Sequence, residues 1–279
     1  MKISEKTIKT ATGEWFYRET LPETETRSAP LILLHGLPSH SYTWREMMPM
    51  LSQQGLRVIA PDWLGFGKSD KPSRREFAYT PASYVKAFSE LVDAWEIEQL
   101  SLVVQGFLGS VGIQYALQNP QRIQKLIILN TPLCKSVKLP WKMQQWGIPL
   151  MGEMMTQDPL LVDRTLEAGS GFVISDSDLA VHRQPFLKSS AVGRALTSSI
   201  RQLNLSAAMA EIETGLSLWE LPTLIIWGMA DPWLVAETPK ALAQNRPNIQ
   251  IVALPEAKHY PQEHWPKEIA QKINQFFSE

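Results

Sequence analysis

The chain has 279 residues, with 27 Lys+Arg against 28 Asp+Glu and a formal net charge of -1. Balanced charge argues against a partner bound through phosphate neutralisation, so no nucleic acid is expected, and 44% hydrophobic residues exclude disorder as the main state. No apolar run approaches the roughly 18 residues that span a bilayer, the polar start MKISEKTIKTATGEW lacks a secretory h-region, and the single Cys134 excludes an internal disulfide or a cysteine-rich metal site. A cytoplasmic protein of one large domain with an insertion is the expectation.

In chain order, residues 14–20 (EWFYRET) read as an early strand of an antiparallel hairpin. Then come short apolar runs: LILLH (31–35), RVIA (57–60), LSLVVQ (100–105), KLIILN (125–130), TLIIW (223–227) and IQIVAL (249–254). They are rich in Val, Ile and Leu and barely alternate, as strands buried on both faces of a parallel sheet do. Between them lie amphipathic stretches. Residues 82–96 carry Val85, Phe88, Leu91, Val92 and Trp95 at helical spacing. The last helix follows Pro266 and carries Ile269, Ile273, Phe276 and Phe277. Strands alternating with helices predict an α/β fold with a mostly parallel, doubly wound sheet.

The rhythm breaks between about 133 and 217, where no strand run occurs and Trp141, Met143, Trp146, Met151, Met154 and Met155 gather. This division gives a core domain of 1–132 and 218–279 and a helical cap of 133–217. In doubly wound sheets ligands bind at the C-terminal strand ends, so the cap is expected to cover a pocket. Met and Trp also serve as ordinary core fillers, so Trp141 and Trp146 are candidates for pocket and for cap core alike.

Polar residues gather in loops after the strands: HGLPSHSYTW (35–44), PDWLGFGKSDKP (61–72), the turn in VVQGFLGSVG (103–112), WGMADPW with Asp231, and EAKHYPQEH with His259. On these motifs the chain resembles the α/β-hydrolase fold, and within it the haloalkane dehalogenase and epoxide hydrolase branch, over about residues 12 to 277. The resemblance implies a cap inserted before the strand that precedes the catalytic acid. It implies Asp231 as the acid, His259 as the histidine, and the backbone N–H groups of Leu37 and Phe107 as the oxyanion hole.

The same resemblance puts the nucleophile on a sharp strand-to-helix turn, normally Ser or Asp at the centre of Gly-x-nucleophile-x-Gly. Here the centre is Gly106, which has no side chain to attack with. The flanks depart too, with Val104 and Leu108 where small residues are expected. Ser110 lies about one turn into the following helix and reads as a packing residue. Gln105 offers an amide, not a nucleophile. His35 is expected to stabilise its loop, His264 to be solvated at the start of the final helix, and Glu263 to have no catalytic role. His40 and His182 have no motif support.

Family activities can be set against residue types. No Tyr occurs between 133 and 217 to polarise an epoxide. Phe107 and Leu37 stand where halide donors are expected, and the serine of an esterase is absent. An Asp231–His259 dyad without a covalent nucleophile remains: a carboxylate fixing a histidine tautomer makes a general base. Two functions follow. One is a hydrolase-like enzyme for a small apolar substrate lined by Trp141, Trp146 and Leu108. The other is a non-catalytic pseudoenzyme, or a module binding a small ligand or a partner. No cofactor, nucleotide loop or metal site is expected; the glycines of GFG (65–67) lack phosphate-loop spacing.

Overall fold

A computed structural model describes residues 1–23 and 29–278. Eight strands form one sheet: β1 (Ser4–Lys9), β2 (Glu14–Thr20), β3 (Leu31–Leu34), β4 (Val58–Pro61), β5 (Leu100–Gln105), β6 (Ile123–Leu129), β7 (Thr223–Gly228) and β8 (Ile249–Leu254). Their order is β1-β2-β4-β3-β5-β6-β7-β8. β1 pairs with β2, and β2 with β4, antiparallel; the other pairs are parallel. The residues 14–20 thus join the hairpin that their sequence suggests.

Side-chain alternation feeds two cores. Ile32, Leu34, Leu102, Val104, Leu126 and Ile128 point into one. Leu31, Leu33, Val103, Ile127 and Leu129 point into the other. Helices α1 (Met47–Gln53) and α12 (Pro266–Ser278) cover the second face. Helices α2 (Pro81–Ala94) and α3 (Gly106–Gln118) cover the first. Thr80 caps α2 by accepting from the Ser83 N–H at 3.2 Å, and Pro81 takes the first helical position. The buried stripe Tyr84, Val85, Phe88, Leu91 and Val92 then seals α2 to the sheet.

One expectation needs correction. The apolar run IQIVAL predicts burial on both faces, but β8 is the last strand of the sheet and four of its six residues are not buried. An apolar run alone does not distinguish a central strand from an edge.

Between β6 and β7 stand six helices: α4 (Trp141–Trp146), α5 (Met151–Met155), α6 (Leu160–Ser170), α7 (Asp176–Lys188), α8 (Ser190–Gln202) and α9 (Leu205–Ser217). Shorter α10 (Glu237–Ala243) and α11 (Pro261–His264) complete the chain. β3 lies between β4 and β5, so the chain winds in opposite directions from it. Such a switch point opens a crevice at the C-terminal ends of the two strands. The loop after β3 and the turn after β5 meet there.

Candidate active site

Gly106 opens α3 with φ +73°, directly after the extended Gln105. That left-handed conformation favours glycine, and any other residue would be strained there. A Cβ built on Gly106 would lie 3.1 Å from Gly36 Cα and 3.5 Å from His259 Nε2. The strand-to-helix turn therefore approaches the histidine closely, with glycine the residue that leaves the Gly36 backbone room. Ser110 is fully buried and donates to the Phe107 carbonyl at 2.7 Å, as a packing residue would. Leu37 follows β3 in the loop that touches this turn. Phe107 sits in the first turn of α3, where backbone N–H groups have no partner within the helix.

His259 is held firmly. Its Nδ1 lies 2.9 Å from Asp231 Oδ2, and both side chains are fully enclosed. Asp231 Oδ1 accepts from the Trp233 and Leu234 N–H groups at 2.8 and 3.1 Å. Its Oδ2 also accepts from Asn130 Nδ2 at 2.8 Å. Asn130, at the end of β6, accepts in turn from the Gly228 N–H at 2.8 Å. Gln105 Nε2 donates to the His259 carbonyl at 2.7 Å, and the His259 N–H donates to the Gly169 carbonyl of α6 at 2.8 Å. With Nδ1 turned to a carboxylate, Nε2 presents its lone pair, and it has no partner among the described residues.

Asn130 was not foreseen. Nothing local marks it beyond its place after a strand, and its partners lie 98 and 101 positions away. Replacing it with alanine leaves the buried Gly228 N–H and one Asp231 lone pair unmet. Asn130→Ala is expected to cost about 2–3 kcal/mol, read as a lower urea midpoint at unchanged slope. An unshifted midpoint would refute this.

Rings enclose the imidazole. Phe107 stacks on it at 5.4 Å and 29°. Trp233 lies at 4.6 Å, and Tyr260 meets it edge-on at 4.9 Å. The Tyr260 hydroxyl donates to the Leu37 carbonyl at 2.7 Å. Trp233 also lines a cavity of about 680 Å³, mostly apolar, together with Trp141, Met143, Trp146 and Leu161 among others. Trp141 is 68% exposed at this cavity, whereas Trp146 is buried. Leu108 does not line it. That side chain is fully buried in the sheet-facing core.

The other histidines are structural in their contacts. His35 Nε2 accepts from the Trp63 N–H at 3.1 Å, so Nδ1 carries the proton and donates to the Gly36 carbonyl at 2.9 Å. Burial pushes its pKa down to about 4 against the pull of Asp62. Burial likewise lowers His40 to about 3, again against Asp62. Glu263 binds Thr43 Oγ1 at 2.6 Å and Arg45 at 2.9 Å, and lies 3.4 Å from His182 of α7. Burial would raise its pKa; the His182 and Arg45 partners outweigh that and hold it at about 2. His264 departs from expectation. It ends α11, is half-buried, and packs on Phe172 at 4.8 Å. A residue counted as solvated is covered because the segment after α6 folds back over α11.

Among the described residues, no helix is long and apolar enough to cross a membrane. Against known proteins, residues 29–264 match the family model described as alpha/beta hydrolase fold. The chain belongs to that family. Its relatives place it further, in the haloalkane dehalogenase-like branch. It is 28% identical over 270 residues to haloalkane dehalogenase 2 of Mycobacterium tuberculosis, covering 91% of this chain and 89% of that protein. It is 30% identical over 254 residues to a haloalkane dehalogenase of Mycobacterium marinum, covering 88% and 83%. The crystal structure of haloalkane dehalogenase DbeA from Bradyrhizobium elkani superposes with a TM-score of 0.86 at 24% identity, over 99% and 98% of the two chains.

Proposed function

We propose that this chain is a hydrolase-like enzyme for a small apolar substrate, working through Asp231 and His259 without a covalent nucleophile. Gly106 stands, on this reading, at the position where the branch carries its nucleophile. The observation that carries the proposal is the unpartnered, enclosed Nε2 of His259, 3.5 Å from where a Cβ on Gly106 would lie. A buried polar atom left unpaired costs about 1–3 kcal/mol, and on an imidazole oriented by a carboxylate a catalytic role is one physical account of that cost. A water molecule above Gly106 would give its proton to Nε2 as its oxygen attacks the substrate. Asp231 keeps the tautomer and stabilises the imidazolium that forms. The N–H groups of Leu37 and Phe107 would receive the developing oxyanion. The cavity at Trp141 and Trp146 would hold the apolar part of the substrate, with Leu108 supporting the Phe107 wall from the core.

A screen of small activated esters and lactones tests this. His259→Gln is expected to lower kcat/KM for any substrate found by at least about 100-fold, the lower end of general-base contributions. Turnover at the wild-type rate in that variant would sink the proposal.

One observation favours a second reading, a non-catalytic ligand-binding module. Trp233 lines the cavity and His259 does not, and the imidazole is covered by Trp233 and stacked on Phe107. On that reading a small apolar ligand binds equally well to wild type and His259→Gln, and neither turns it over.

A further inference from the structure

A second cavity lies away from His259, between the loop 71–79 and helices α5 and α8, with a volume of about 340 Å³. None of Gly106, Asp231 or His259 lines it. Its character is the opposite of the first. Lys71, Arg74 and Arg194 all line it, and Glu153 is its single lining carboxylate. Among the described residues, none of the three cations forms an ion pair. Three cations without an ion pair around one hollow, against a single lining carboxylate, are a local excess of positive charge.

The cations are also held in place. Lys71 Nζ donates to the carbonyls of Gly67 and Ser69 at 2.8 and 2.5 Å, which leaves one of its three N–H groups. Arg74 Nε donates to Ser198 Oγ at 2.7 Å, and Ser198 Oγ donates to the Arg194 carbonyl at 2.7 Å. Ser198 is buried, so it sets the lie of Arg74 and leaves the terminal guanidinium nitrogens open. Arg194 is steadied by Ser190 at 2.7 Å. Tyr79 closes the wall in a left-handed backbone conformation, φ +58°, with its hydroxyl on the Pro72 carbonyl at 2.6 Å. Strained residues of this kind persist where the surrounding structure over-determines them. Burial depresses the Lys71 ammonium despite the attraction of Asp62 and Asp70.

We propose that this cleft is a binding site for a tetrahedral dianion, inorganic phosphate or the phosphate group of a small monoester. Three cations against one carboxylate leave a surplus of two charges, which matches a phosphate dianion near neutral pH. Arginine forks pair bidentately with phosphate oxygens, and a lysine serves as a point charge beside them. The ligand would join the sheet body to the inserted helices, since Lys71 and Arg74 belong to one and Arg194 to the other.

Calorimetric titration of the full chain with inorganic phosphate, sulfate and acetate, at fixed ionic strength, tests the proposal. One saturable site for phosphate is expected, shared by sulfate as a tetrahedral dianion and at least about tenfold weaker for acetate. Arg74→Gln and Arg194→Gln each weaken phosphate by about tenfold or more; both side chains are exposed, so the fold survives. Ser198→Ala, which frees Arg74 without removing charge, weakens it less. No saturable phosphate binding at millimolar concentration overturns the proposal. So does acetate binding as tightly as phosphate, or phosphate binding unchanged in the double Arg74→Gln, Arg194→Gln variant.

Discussion

Lowering the pH from 7 to 5 is expected to destabilise the fold by about 4 kcal/mol, through His35 and His40 alone. Each charges at 6.5 in the unfolded chain, but only at about 4 and about 3 in the folded one. Between those values the unfolded state binds more protons, so stability falls as pH falls. Each histidine contributes a slope of about 1.4 kcal/mol per pH unit in that window. Glu263 acts in the same direction lower down. Its depressed pKa, about 2 against an ordinary 4.5, gives stability that is full above 4.5 and is lost as the pH drops towards 2. Urea midpoints at pH 7 and pH 5 measure the first effect. His40→Gln is expected to cut the slope roughly in half. A midpoint that does not move between the two pH values would refute the assignment of neutral buried imidazoles.

Asp62→Ala is expected to destabilise the protein by about 3–5 kcal/mol. Asp62 is fully buried where two loops meet. Its Oδ1 accepts from the Ser41 N–H at 2.7 Å and its Oδ2 from the Lys68 N–H at 2.7 Å. Burial would raise its pKa, but His40, His35, the Ser41 N–H and Arg18 hold it below the usual carboxylate range. Alanine orphans two buried amides and removes the negative charge beside the two imidazoles. Gly67, at φ +51°, leaves room for this carboxylate; a Cβ there would fall on Asp62 itself. Asp62→Asn keeps one acceptor oxygen and the volume, so it should cost clearly less than alanine. Equal costs for the two variants would show that packing, not hydrogen bonding, is what Asp62 supplies.

The sheet was legible because burial on two faces leaves a mark in a single strand. A run such as KLIILN carries apolar residues on both faces, with Ile127 and Leu129 on one and Leu126 and Ile128 on the other. β8 misled for the same reason: its composition is apolar although its position at the edge is not buried. The meeting of Asp231 and His259 was legible through chain order, since the loops after neighbouring parallel strands must share one sheet edge. The supports of that pair were not legible. Gln105 reaches His259 across 154 positions, and Asn130 reaches Asp231 across 101. An isolated amide has no period and no spacing that a sequence could display. The histidines were opaque likewise. Glu263 finds Thr43 220 positions away, a pairing that exists only once α11 is folded against the β3 loop.

The turn at Gly106 has a consequence for mutational history. Glycine codons that end in a pyrimidine lie a single nucleotide from both serine and aspartate. With such a codon at 106, one nucleotide separates the glycine from a reactive side chain. The backbone already has the left-handed shape such a side chain would need. The packing around it is less permissive, because a Cβ at 106 would lie 3.1 Å from the Gly36 backbone. A serine or aspartate at 106 is therefore short in genetic distance and tight in structural room.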